Sequence, residues 1–194
     1  QAYRPMLSNS SEWYYYVVGL GFSGTTQYSI IGDSTISSLH YQKISKTYAS
    51  QPLLMREDSL TKKVYEIDWN GDEALIYDFS LNVGDTFHIA PVYGGSLRVL
   101  DSIVTDFNNL VPIFQNWCTP DSSNCTIDSL KIFYFNNGDV WVEGIGSLSG
   151  LEEYRYSNFG CIYSLTCHYD EIGNKGMHFS SYWNQEHGEC YTYL

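Results

Sequence analysis

Lys63-Val64-Tyr65-Glu66-Ile67, then Asp68-Trp69-Asn70-Gly71-Asp72, then Ala74-Leu75-Ile76-Tyr77-Asp78-Phe79, is the stretch that decides the fold. The first run alternates apolar and polar residues. The last comes back as a second β-prone run. Asn-Gly between two such runs is the strongest short hairpin signal, because both residues tolerate positive φ. The device recurs at Asn137-Gly138, between Lys131–Phe135 and Val140-Trp141-Val142-Glu143. Working outward, Glu12–Val18 is aromatic and β-branched. Tyr28–Ile31 leads to an expected turn at Gly32-Asp33. His40–Ile44 alternates, and Leu53–Glu57 runs into a turn at Asp58-Ser59. Gly84-Asp85 precedes Thr86–Ile89. Leu97–Val104 and Cys161–Tyr169 read as longer strands. No segment shows a sustained 3.6-residue period. The expected fold is therefore all-β with little helix: an antiparallel sandwich or roll of roughly 10–14 short strands. No linker divides the chain, so residues 1–194 read as a single all-β domain. The Gly144–Gly150 segment reads as a tight, ordered loop.

Composition agrees. The 194 residues are 43% hydrophobic, 16% aromatic and only 16% charged, against a usual charged share of about 25%. Disordered chains are poor in aromatics and rich in charge, so disorder is excluded. No apolar run approaches the roughly 18 residues of a membrane-spanning helix. The net charge of −12 repels a phosphate backbone, so nucleic acid is not an expected partner.

The five cysteines point to an oxidising compartment. Cys118 and Cys125 flank Thr119–Asn124, turn chemistry throughout, so a disulfide-closed loop at 118–125 is expected rather than a redox or metal pair. Cys167 and Cys190 are placed to staple the last strands. Cys161 is then left over, free and buried or paired differently. A start at Gln1 without an initiator Met fits a mature secreted protein whose signal peptide has been removed, and a fragment would look the same.

Several chemistries find partial support among the polar residues. Gly146-Ser147-Leu148-Ser149-Gly150 resembles a nucleophile elbow, but Leu148 stands where the serine belongs. Cys167, His168, His178, His187 and Cys190 are zinc-ligand types at spacings that match no familiar finger. Asp68, Asn70 and Asp72 offer alternate oxygens for calcium, yet a Glu near the twelfth loop position is missing, and a hairpin turn explains the same residues. Glu143, Glu152, Glu153 and Asp78 are the carboxylates from which a glycosidase pair would be drawn, with Asp78 better read as a sheet-edge or turn-capping residue. No cofactor or metal and no catalysis are expected. The preferred binding residues are aromatic. Trp13, Tyr14, Tyr15 and Tyr16 are consecutive, so alternate rings face opposite sides of a strand. Tyr154 and Tyr156 alternate similarly. Trp13, Tyr15, Tyr154 and Tyr156 are the candidate exposed rings for stacking on sugars or anchoring a protein. The alternative is aromatics on two buried faces.

A family resemblance covers nearly the whole chain. Its residues are Tyr3-Arg4-Pro5-Met6-Leu7 with Glu12-Trp13, Asp33–Ile36, Met55–Asp58 through Lys63-Val64-Tyr65, Leu75–Asp85, Trp141–Leu151, Leu165-Thr166-Cys167 and Cys190-Tyr191. These resemble stretches of uncharacterised secreted proteins that precede a type IX secretion sorting domain in gliding and gut bacteria. The resemblance implies secretion through the outer membrane and a Cys167–Cys190 disulfide, and supplies no catalytic residues. Two departures from the family's pattern are read: the Cys118–Cys125 loop looks like an insertion, and the sorting domain expected after Leu194 is either cleaved or not included in the sequence. Asp33-Ser34-Thr35, Asp58-Ser59-Leu60, Asp101-Ser102-Ile103 and Asp128-Ser129-Leu130 resemble O-glycosylation sites of such bacteria, or are plain turns. Asn9-Ser10-Ser11 and Asn124-Cys125-Thr126 are N-glycosylation sequons. The expectation is a non-catalytic secreted or cell-surface β module for adhesion or extracellular assembly, including a homopolymeric fibre subunit. Its partners would be further copies of itself, or a cell-surface protein or glycan. A glycan-binding module and a secreted hydrolase are the alternatives.

Overall fold

The computed structural model describes residues 2–19, 22–89, 97–105, 131–151, 162–169 and 177–178. Among them are thirteen strands and no helix. They are β1 (Glu12–Gly19), β2 (Phe22–Ile36), β3 (Leu39–Lys46), β4 (Leu53–Asp58), β5 (Lys63–Ile67), β6 (Glu73–Asp78), β7 (Thr86–His88), β8 (Leu97–Val104), β9 (Ile132–Phe135), β10 (Val140–Val142), β11 (Gly146–Ser147), β12 (Ile162–Tyr169) and β13 (Met177–His178). An eight-stranded sheet runs β13-β12-β1-β2-β3-β4-β5-β6, and a five-stranded sheet runs β11-β10-β9-β8-β7. All pairings are antiparallel. The two-sheet, all-β class is as the alternation predicts.

Both Asn-Gly hairpins form. Gly71 and Gly138 take φ of 86° and 85°, closing β5 onto β6 and β9 onto β10. The Asp58 turn also forms, its Oδ1 accepting the Leu60 and Thr61 amides. The expected turn at Gly32-Asp33 does not. β2 runs through it, and the ladder to β3 slips between Ile30 and Gly32. Gly32, at φ 146°, serves as a β-bulge, where one extra residue is absorbed without reversing the chain. The reversal comes at Ser37-Ser38, both at positive φ, between paired Ile36 and Leu39.

Alternation places the core. Val64 and Glu66 on β5, Leu53 and Met55 on β4, and Trp13, Tyr15 and Val17 on β1 face inward. Of these, Val64, Leu53, Met55, Trp13 and Tyr15 meet Phe87, Leu100, Phe133, Phe135 and Trp141 of the smaller sheet in one apolar cluster. Trp141 is its hub, edge-on to Tyr77 and Phe87 and tilted against Phe135. No helix among the described residues is long and apolar enough to cross a membrane.

Candidate functional site

The reading of Trp13 and Tyr15 as exposed rings is corrected: both are fully buried. β1 lies inside the larger sheet, between β12 and β2, and this face of it meets the smaller sheet. The polar tips are satisfied there. Trp13 Nε1 donates to the Ile145 carbonyl at 2.7 Å, and the Tyr15 hydroxyl to the Ser147 carbonyl at 2.9 Å. The two rings therefore suspend the Gly-rich segment from β1. The opposite face carries Tyr14 and Tyr16, both half-buried. The Tyr14 hydroxyl donates to Glu12 and accepts from the Gln27 amide. Tyr154 and Tyr156 lie outside the described residues. So do Cys118, Cys125, Cys161 and Cys190, along with Glu152, Glu153 and His187. The backbone of Cys167 lies on β12, opposite Tyr14 and His178.

The polar constellation that the fold does assemble surrounds Tyr3–Leu7, hereafter the strap. Glu57, the inward residue two after Met55 on β4, is half-buried. It accepts from the Tyr3 hydroxyl (2.5 Å), the Met6 amide (2.9 Å) and the Leu7 amide (2.8 Å). Burial raises the Glu57 carboxyl above its ordinary pKa, against the pull of these three donors, and nearby Glu143 pushes the same way. The Tyr3 phenol is held far above its usual range by burial and by Glu57, Glu143 and Asp78. Glu143, buried after β10, accepts the Arg4 amide at 3.3 Å. Two glycines complete the cradle. A Cβ at Gly144 would lie 2.7 Å from Arg4 Cδ, and one at Gly146 would lie 2.9 Å from Met6 Sδ. Met6 is fully buried. The site thus holds the strap: its main-chain amides by carboxylates, and its side chains in slots only glycine leaves open.

The remaining carboxylates have other local work. Asp139, buried after the Asn137-Gly138 turn, pairs with Arg98 and accepts from Trp141 Nε1 (2.6 Å) and Ser147 Oγ (3.0 Å). Ser147 is thereby a structural donor within the apparent elbow. Asp68 Oδ1 accepts the amides of Asn70 and Asp72, so its carboxylate turns into the hairpin. Asp78 caps the end of β6, accepting from Ser80 N and Oγ. Among the described residues no three His, Cys, Asp or Glu side chains converge as a metal site. His168, of the zinc candidates, is buried against the Trp13 ring, with Nδ1 3.1 Å from the Glu12 carbonyl.

No sequence motif marks the strap clamp as a site. One signal was available: Glu57 shares the inward parity of Leu53 and Met55 on β4, and an acid on an apolar face needs donors. No protein family, curated protein or solved structure matches the chain.

Proposed function

We propose that this chain is a non-catalytic secreted or cell-surface β module that acts in adhesion or extracellular assembly, by self-association above all. The observation that carries this reading is the internal engagement of three enclosed acids among the described residues, Glu57, Glu143 and Asp139. Glu57 and Glu143 hold the strap, and Asp139 holds Arg98, Trp141 and Ser147. A glycosidase of the two-carboxylate kind needs carboxylates open to substrate, whereas these are closed by the chain's own groups. Large apolar side chains instead stand out at hairpin turns: Tyr48 is 90% exposed, Leu60 95% and Trp69 63%. The cysteine content and the family resemblance support an extracellular setting. The test is light scattering and electron microscopy of the protein over a concentration series. Multimers or fibres are expected, and a monomer at all concentrations would sink the assembly reading.

One observation favours glycan binding as a second reading. Tyr48 lies in the β3–β4 turn and Trp69 in the β5–β6 turn, and in an antiparallel run these two turns lie at the same end of the sheet. Exposed Tyr and Trp stack well on sugar rings. Titration with neutral oligosaccharides, repeated with Tyr48→Ala and Trp69→Ala, checks it. Binding that both substitutions leave intact would refute this placement.

A further inference from the structure

We infer that the groove around Tyr3–Leu7 is an exchangeable peptide clamp, and that the strap of one copy seats in the clamp of a second copy to link chains. The inference rests on the self-association reading and supplies its joint.

The clamp contacts are indifferent to which molecule provides the strap. Glu57 lies 50 or more positions away from the residues it holds, and Glu143 lies 139 away from Arg4. Their recognition is local to the strap: three amides, one phenol, the Arg4 stem over Gly144 and Met6 at Gly146. A strap arriving from another copy makes the same set. The occupant is therefore defined by the structure itself, because the segment seated in the groove is the one every copy carries.

The connection to the body is short and local. Between the strap and β1 lies a single turn, in which the Ser11 amide donates to the Ser8 carbonyl at 3.0 Å and the two serine hydroxyls meet at 2.8 Å. Ser11 Oγ also donates to the Met6 carbonyl at 3.0 Å. Asn9 and Ser10 at its tip are exposed. Opening this turn extends the hinge and leaves every clamp contact available in trans. Exchange of an identical element between protomers is a low-cost route to association for this reason. Donation onward to a third copy, rather than back to the first, makes a heterologous contact that extends into a chain.

The full chain is the test material, with light scattering over a concentration series. A synthetic peptide of residues 2–7, Ala-Tyr-Arg-Pro-Met-Leu, is added in excess. It fills open clamps, and should lower the weight-average mass of the multimers progressively toward that of the monomer as its concentration rises, because each filled clamp removes one link. The same peptide carrying Tyr3→Phe lacks the hydroxyl that meets Glu57 and should act more weakly. A second arm deletes Asn9 and Ser10. The shortened hinge no longer lets the strap fold back, so multimers should appear at concentrations where the intact chain is monomeric. Multimers indifferent to the peptide, together with a hinge deletion that leaves the assembly unchanged, would overturn strap exchange while leaving self-association standing. Absence of multimers at every concentration, both from the intact chain without peptide and from the hinge deletion, would overturn both.

Discussion

Glu57 has three donors on two oxygens and still sits above its ordinary pKa, because the clamp removes it from water more effectively than the donors compensate. A raised carboxyl pKa means that the folded state holds the proton more tightly than the unfolded state. Its contribution to stability is thus complete below the unfolded value, near 4.5, and is lost as pH rises from there through the folded value. Glu57→Gln removes that slope and leaves one oxygen to accept from three donors. A loss of about 1–3 kcal/mol is expected from the unmet amides, with the difference from wild type narrowing as pH rises through this window. Urea unfolding across that range checks it; a constant difference would mean that Glu57 does not titrate there. Glu73 behaves oppositely. Its bidentate bond to Arg56, at 2.8 Å twice, holds its carboxyl low. That contribution is present above the unfolded value and is lost as pH falls through the folded one. Burial separates the two arginines. The Arg98 and Asp139 side chains are nearly sealed, whereas Arg56 and Glu73 are 18% and 27% exposed. Arg98→Met strands a buried carboxylate and should cost about 3–5 kcal/mol. Arg56→Met should cost no more than about 1 kcal/mol. Equal losses in denaturant would refute the distinction.

Two glycines at comparable φ separate backbone strain from contact. Gly71, at 86°, has open space where a Cβ would go, whereas Gly146, at 102°, has Met6 at 2.9 Å. Gly71→Ala should cost about 1–2 kcal/mol, the strain of a left-handed residue. Gly146→Ala should cost more, since the strap must also shift. Equal losses would mean that Met6 yields freely. The β2–β3 turn offers the reverse case. Ser37 and Ser38 take φ of 48° and 69°, the geometry Asn-Gly favours. Ser37→Asn with Ser38→Gly should raise stability by about 0.5–1 kcal/mol in thermal unfolding, as turn optimisation usually does. The same turn shows where sequence reading ran short. Asn70-Gly71 and Asn137-Gly138 were legible because their chemistry names one geometry. Ser37-Ser38 was not, because register across β2 and β3 forces positive φ on residues with little preference for it. Gly32-Asp33 misled because a glycine serves a bulge as readily as a turn. β11, two residues inside the Gly144–Gly150 loop, carries no periodicity to read.

At the scale of the molecule, the aromatic strands were legible, but which face of each is buried was not. Alternation says that Trp13 and Tyr15 share a side; only the second sheet, assembled from residues far along the chain, says that this side is the core. The clamp was obscure for the same reason, since Glu57 and Glu143 come together only through the strap. Charge bears on assembly differently. A net charge of −12 sets copies against one another over a Debye length of about 30 Å at 0.01 M salt and about 10 Å at 0.1 M. Strap exchange joins copies through amides, a phenol and buried Met6 rather than through opposed surface charges. Added salt should therefore strengthen it: raising ionic strength from about 0.01 to 0.3 M screens the repulsion and should lower the concentration at which multimers appear. Mild acidification acts in the same direction, because it reduces the net charge toward the sequence pI near 4.6. Glu57 titration bears equally on a strap seated in its own copy or in another and leaves that balance unchanged. Light scattering across salt and pH decides the point. Multimers that dissolve as salt rises would assign the interface to complementary charges, and the strap would then not be the joint.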